Sequence, residues 1–279
     1  MSEALNDLLS RRPVRAFDAR LEQSKVDEFW ELGFTKIERI TTDEEIAWLR
    51  EVYDLLFSGN MKLLPGALVT DVMTRMDKQR GDRIGQVLRP EYFIPELKQT
   101  QFFKNSNAIA TQILGRDAPL DVWGHMVRKA PRNPDIVPWH QDEGYWDPSF
   151  DYQSFGCWMP LDPATEESGC MSFIPRSHKG GVLKHGFMDN DPAVTTLILE
   201  DEIDVTKAVL QPVPVGGASI HHNRTLHFSG PNRTDRPRRA YINEWQIAPV
   251  KRDVPYDRAW YWERQKALRA NHNKLEVTG

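Results

Sequence analysis

The sequence predicts a mainly β protein with helices at both ends, built around a sandwich or barrel of which a double-sheet jelly roll is one form. Three observations carry this. From about Leu120 the chain turns into short strand-like runs, turn-rich stretches divide those runs, and helical spacing of apolar residues is confined to the first third and the C-terminal stretch. The 279 residues suit one domain. Within it, 1–118 reads as a mostly helical part packing on the core, 119–250 as the core, and 251–279 as a C-terminal helix.

In order along the chain, Val26, Phe29, Trp30 and Leu32 form the apolar face of a first helix, closed by Gly33. A short strand follows over about Thr35 to Ile40. Thr42 with Glu45 makes a capping-box pattern, and Ile46, Leu49, Val52, Tyr53 and Leu56 behind it keep helical spacing, with Gly59 as the stop. A further helix covers about Ser106 to Leu114. The segment Asn60 to Arg89 shows no clear period and reads as a long loop, part of a substrate entrance. Strand candidates are Leu120 to Lys129, Gln153 to Leu161, Cys170 to Ile174, Lys207 to Val213, Gly217 to His222 and Arg239 to Ile247. The stretches 131-PRNPD-135, 162-DPATEESG-169, 215-VGG-217 and 229-SGPNRTDRP-237 separate them. Lys179 to Thr206 interrupts the pattern as a lid or insert, and Tyr256 to Leu275 reads as a helix carrying Trp260 and Trp262.

Composition narrows the function. A net charge of -4 gives none of the basic excess of a nucleic-acid binder, although Arg233, Arg236, Arg238 and Arg239 cluster locally. No apolar run approaches the roughly 20 residues that span a bilayer. The stretch Met1 to Arg20 lacks the apolar run of a secretory signal. The two cysteines, Cys157 and Cys170, lack metal or redox spacing and read as buried apolar residues in a reducing compartment. The expectation is a soluble, cytoplasmic protein whose partner is a small molecule, with no nucleic acid or membrane.

The chemistry concentrates in two blocks. In 138-PWHQDEGYW-146, His140 and Asp142 lie two apart and so face one side of a strand, where both can approach one metal. Two histidines and one carboxylate leave three positions open on an octahedral ion, the arrangement of non-haem Fe(II) oxygenases. Alone, H-x-D is a weak signal. In 224-RTLHFSGPNRTDRPRRAYINEW-245, His227 follows a Gly-Gly turn and a strand-like run, and Arg238 stands eleven residues later. An arginine near a metal suits a bidentate clamp on a carboxylate.

Together these blocks resemble the phytanoyl-CoA dioxygenase family, which shows H-x-D, then a distal histidine within H-x-S-G-x-N, then arginine eleven positions on. Here these are His140 and Asp142, 227-HFSGPN-232 and Arg238. The runs 156-GCWMPLD-162, 167-ESGCMSFIPRSHKGG-181 and 215-VGGASIHHNRTLHFSGPN-232 resemble its intermediate landmarks, so the likeness covers about Leu120 to Gln246. It implies a double-stranded β-helix (jelly-roll, cupin-like) core, and a dioxygenase that uses Fe(II), 2-oxoglutarate and O2. Iron would be held by His140, Asp142 and His227. The co-substrate would contact Arg238, Ser229, Gln141 and Trp158. Strict strand alternation would turn Gln141 away from the metal, and Trp158 could equally be core. Presence of Asp142, where related halogenases lack the carboxylate, argues for hydroxylation of a C–H bond with release of succinate and CO2. Desaturation, epoxidation and ring formation stay open.

Other residues compete for roles. One of His221 and His222 should face the interior and the other outward. His227 has Ser229, Asn232 and Arg238 at the matching offsets, and they do not. Glu143 has the wrong parity to replace Asp142. Asn232 fits an Asx-type bond behind His227. Tyr145, Trp146 and His125 are candidate substrate contacts, each with core packing as the plain alternative. His178 reads as structural, His185 as either a substrate contact or solvated, and His272 as solvated. Arg233, Arg236 and Arg239 are read as a solvated turn, with contact to an anionic substrate as the alternative. Three other classes remain: a cupin-like metalloenzyme that does not use 2-oxoglutarate, in which Arg238 has no job; a non-catalytic binding protein on the same fold; and a structural protein that needs no metal residues.

Overall fold

The computed structural model describes residues 3–58, 69–73, 84–115 and 120–276. Helices α1 (Glu3–Ser10), α2 (Gln23–Leu32), α3 (Asp43–Leu56) and α4 (Gln101–Leu114) come early, and α5 (Ala259–Glu276) closes the described chain. The strands are β1 (Phe34–Ile37), β2 (Val69–Asp71), β3 (Ile84–Leu88), β4 (Leu120–Lys129), β5 (Val137–His140), β6 (Phe150–Asp151), β7 (Ser154–Pro160) and β8 (Met171–Phe173). They continue with β9 (His185–Phe187), β10 (Leu197–Leu199), β11 (Val209–Gln211), β12 (Ala218–His222), β13 (His227–Ser229), β14 (Arg238–Ile247) and β15 (Val250–Lys251).

Capping explains where the helices begin and end. The Thr42 side chain accepts from Glu45 N (3.2 Å), as the capping pattern requires. The Glu45 carboxylate reaches back only to the Thr41 hydroxyl (2.6 Å) and not to the N-cap backbone. It accepts from Gln101 N and Phe102 N, and so caps the neighbouring helix α4 instead. Thr100 adds a second cap there by accepting from Phe103 N (3.1 Å), which is why α4 starts at Gln101 and not near Ser106. Gly33 ends α2 with φ at 91°, a left-handed conformation that glycine adopts without strain. Gly59, the expected stop of α3, lies outside the described residues, and α3 ends at Leu56.

Seven strands form one sheet in the order β1-β12-β7-β14-β4-β3-β2, and four form a second in the order β11-β8-β13-β5, all pairs antiparallel. Alternation along β14 sorts its side chains between two layers. Tyr241 and Trp245 join Phe29, Ile46, Leu49, Val52, Phe102 and Ile109 in the cluster that packs helices on the outer face of the large sheet. Ala240 and Ile242 join Trp158, Met171 and Phe173 in a cluster between the two sheets. At roughly 1.5–3 kcal/mol for each large apolar side chain buried, the helical layer contributes strongly to holding the sheet in shape. The result is the jelly-roll core expected, with helices flanking it.

One organisational expectation changes. The segment 60–89 is not all loop, since β2 and β3 pair at the edge of the large sheet; 60–68 and 74–83 lie outside the described residues. These edge strands are three and five residues long, too short to show a period. The proposed lid, 179–206, carries the hairpin of β9 and β10, whose Phe187 and Leu197 pack on Trp260 of α5. Among the described residues no helix is long and apolar enough to cross a membrane.

Candidate active site

Strand β5 ends at His140, directly opposite His227 in the register with β13. That pairing puts both imidazoles on the same face, with ring centroids 4.1 Å apart. Gln141 keeps extended backbone, φ -124° and ψ 133°, so strand parity carries on for one more residue. Asp142 then returns to the face of His140 and opens a short 3-10 turn, Asp142–Tyr145. Its Oδ1 lies 3.6 Å from His140 Nε2 and 3.5 Å from His227 Nε2. All three donor atoms fall within 4.8 Å of one another.

The imidazoles are fixed from behind. His140 Nδ1 lies 2.7 Å from the Pro138 carbonyl and His227 Nδ1 lies 2.9 Å from that of Thr225. A carbonyl only accepts, so each Nδ1 carries the proton and each Nε2 turns a lone pair inward, as metal ligation requires. Burial, with His140 beside it, lowers His227 to about 3, so it is neutral at any ordinary pH. Burial opposes ionisation of Asp142, but the imidazoles around it outweigh burial, with His221 the one whose N–H is free to donate, and the carboxylate is held well below its usual range. His221 Nε2 lies 3.1 Å from Asp142 Oδ2, which leaves Oδ1 facing the two histidines.

The triad opens into a cavity of about 590 Å³ between the sheets, a volume suited to a small molecule. Arg238, at the start of β14, lies in its wall. It is 3% exposed, donates to Ser229 Oγ (3.1 Å) and sits over the Trp158 ring at 5.3 Å. Its Nε has no hydrogen-bond partner, and Asp162, the carboxylate whose charge it feels, is bonded to Arg239 instead. Burial lowers this guanidinium to about 10. A buried, unpaired cation is costly unless a ligand supplies the anion, so the site fits a carboxylate reaching in from the metal side. Lys129 is buried nearby, lowered well below the usual lysine range by burial and then by Arg238. It donates to the carbonyls of Asp135, Ser229 and Gly230 and so fixes the turn that carries Ser229.

The remaining expected residues divide. Tyr145, Trp146 and His125 line the cavity with Trp158 and Ser229. Tyr145 stands edge-on to His140 at 6.0 Å and accepts from Leu197 N, and burial raises its hydroxyl. His125, lowered to about 4 by burial, is 2.9 Å from Gln86 Oε1. Gln141 is a correction. Alternation turns it away from the cavity, where its amide donates to the Gly181 and Arg224 carbonyls and accepts from Leu183 N. His185 is neither a substrate contact nor solvated. It is 1% exposed, with Nε2 accepting from Gln141 N. His221 faces the cavity while His222 packs against Phe29 and His178, as the alternation of β12 dictates. Glu143 points the other way from Asp142 and holds Asn223, Arg224 and Arg258. Asn232 closes its turn by accepting from Thr234 N. Arg239 pairs with Asp162 and Asp54 on the outer face and does not sit in a solvated turn.

Sequence reading missed what the C-terminal segment brings. Arg258 clamps Glu143, and Trp260 Nε1 donates to Gly144 O (2.9 Å), so this segment is bolted to the turn that carries Asp142. Arg264 of α5 reaches the cavity wall and lies 5.2 Å over the Tyr145 ring. A run of charged residues on a terminal helix gives no local signal that one of them is buried.

Two imidazoles and one carboxylate around open positions form the donor set of the non-haem Fe(II) oxygenases, and comparison with known proteins leads to the same class. The chain belongs to the Phytanoyl-CoA dioxygenase (PhyH) family, which residues 29–240 match. It is 26% identical over 219 residues, 76% of this chain and 74% of the other, to a probable alpha-ketoglutarate-dependent hypophosphite dioxygenase of Stutzerimonas stutzeri. Among solved structures it is similar to EvdO2 from Micromonospora carbonacea var. aurantiaca, with 34% identity and a TM-score of 0.77 over 88% of this chain and 99% of that one. The same protein complexed with 2-oxoglutarate matches at 33% identity and a TM-score of 0.76, with the same coverage.

Proposed function

We propose that this Fe(II)- and 2-oxoglutarate-dependent oxygenase hydroxylates a C–H bond of a small, partly apolar molecule, with His140, Asp142 and His227 as the iron ligands. Arg238 and Ser229 take the far carboxylate of 2-oxoglutarate, and Trp158 packs beneath the guanidinium. The observation that carries this reading is the pairing of a locked His-Asp-His donor set with a buried arginine that lacks a counter-ion in the same cavity. In a cupin-like enzyme without 2-oxoglutarate, that arginine would keep its cost and have no partner. When bound, iron and 2-oxoglutarate supply the oxidising power: the co-substrate becomes succinate and CO2, and one oxygen atom of O2 goes to the substrate.

The chain's own residues prepare the site. His140 and His227 offer lone pairs already aimed, and His221 holds the Asp142 carboxylate. Tyr145, Trp146 and His125 wall the cavity against water and border the substrate. We read 1–279 as one catalytic unit, because both the N-terminal helices and Arg264 of α5 complete the core or the cavity. The buried free cysteines support a cytoplasmic location. Incubation with Fe(II), 2-oxoglutarate and air should release succinate at a slow basal rate, consuming one O2 for each. His227→Ala and Asp142→Ala should abolish it. Undiminished succinate from both variants would overturn the assignment of ligands.

A further inference from the structure

The cavity wall carries a carboxyl group that neither the metal nor the co-substrate uses. Glu244 lies on β14 six residues beyond Arg238, on the same face, and lines the cavity. It is 7% exposed and its Oε2 has no hydrogen-bond partner. A carboxylate oxygen of Glu244, a ring nitrogen of His221 and a carboxylate oxygen of Asp142 lie within 4.8 Å of one another, so the group stands beside the triad. Gly156 makes the room: a Cβ there would come within 2.8 Å of both Glu244 Oε1 and the His221 ring. Trp123 stands opposite Glu244 in the register with β4 and also lines the cavity.

A buried polar atom without a partner is costly, and the Glu244 carboxyl group stands on the cavity wall, where a bound molecule can supply that partner. The donor is better neutral than cationic. Among the other charged groups on the wall outside the triad, Asp147 accepts from Ser149 N, Arg238 is taken by the co-substrate carboxylate, and Arg89 and Arg264 remain as cations. A metal held at Asp142 would add further positive charge close by. A hydroxyl group supplies a hydrogen without a charge, and Trp123 offers a flat apolar face next to it.

We propose that Glu244 binds a hydroxyl group of the substrate and determines specificity, so that the molecule accepted is neutral, hydroxyl-bearing and apolar on the side facing Trp123. This rests on the oxygenase reading above, and its test separates the two. Protein loaded with Zn(II) and 2-oxoglutarate is titrated with cyclohexane-1,2-diol, 2-aminocyclohexanol and cyclohexyl methyl ether, and binding is followed by saturation-transfer NMR. Wild type should bind the diol in preference to the amine and the ether. Glu244→Ala should bind it about tenfold more weakly, and Glu244→Gln, which still accepts, should keep part of the affinity. The visible band of the anaerobic Fe(II)–2-oxoglutarate complex should persist in both variants, which shows that they fold with the triad intact. Loss of that band already in wild type would sink the oxygenase reading instead. With the band present, the inference is overturned by equal diol binding in wild type and Glu244→Ala, by no diol binding in wild type, or by preference for the amine or ether. A second metal equivalent per chain that disappears in Glu244→Ala would also overturn it, by giving the carboxylate to a metal.

Discussion

Replacing Arg238 by methionine should make the ligand-free protein more stable while removing its affinity for 2-oxoglutarate. The fall of the guanidinium from 12.5 to about 10 on burial corresponds to about 3 kcal/mol against the charged form, which is the form present at neutral pH. Methionine fills a similar volume without that cost. It forfeits the hydrogen bond to Ser229 and the contact with the Trp158 ring, each worth about 1 kcal/mol. The net gain is about 1–2 kcal/mol, or roughly 2–5 °C in the melting temperature of a chain of this size. In wild type, added 2-oxoglutarate with Zn(II) should raise the melting temperature, whereas Arg238→Met should show no such rise. Losing a buried charge partner costs about 2–5 kcal/mol, a weakening of roughly 30-fold to more than a thousandfold. Thermal unfolding with and without the co-substrate reads both effects. A destabilised variant that still responds fully to 2-oxoglutarate would refute the argument that Arg238 is held unpaired for the co-substrate.

Other perturbations follow from the same geometry. His221→Phe removes the donor on Asp142 Oδ2 and should weaken Fe(II) or Zn(II) binding about 10–100-fold in a chelator competition, and an unchanged affinity would show that the carboxylate is oriented without it. Glu143→Ala leaves Arg224 and Arg258 without their shared buried partner and should cost about 3–5 kcal/mol in urea unfolding; a cost under about 1 kcal/mol would mean that the cluster is not a structural bolt. Burial lowers His125 and His185 to about 4 and His222 to about 3. The unfolded chain takes up these protons below about 6.5 and the native state does not, so stability is full above that pH and falls as pH drops towards 4. Each histidine adds up to about 1.4 kcal/mol per pH unit, and a flat unfolding midpoint between pH 6.5 and 4.5 would contradict this.

What could be read from the sequence was what local spacing encodes. Leu120–Lys129 and Arg238–Ile247 are long strands with one helix-facing and one cavity-facing set, so the chain itself carries the alternation. His140 and Asp142 were readable as a pair because extended backbone at Gln141 keeps them on one face. The same alternation, applied strictly, also places Gln141 outside the cavity, where the family resemblance had suggested a co-substrate contact. Pairings between distant segments left no such trace. Glu45 caps α4 rather than its own helix, β2 and β3 are too short to show a period, and Arg264 reaches the cavity from the far end of the chain. Glu244 was hidden for a different reason: an acid in the middle of a strand reads as solvated until its neighbours close over it.

The central claim, that one cavity holds iron on His140, Asp142 and His227 and 2-oxoglutarate on Arg238, is tested most directly by anaerobic titration of the metal-free protein with Fe(II) and 2-oxoglutarate while the visible charge-transfer band is recorded. The account requires a weak band that needs both components, saturates at one of each per chain, and is lost or strongly weakened in Arg238→Ala. Tight metal binding with no band on adding 2-oxoglutarate would contradict it.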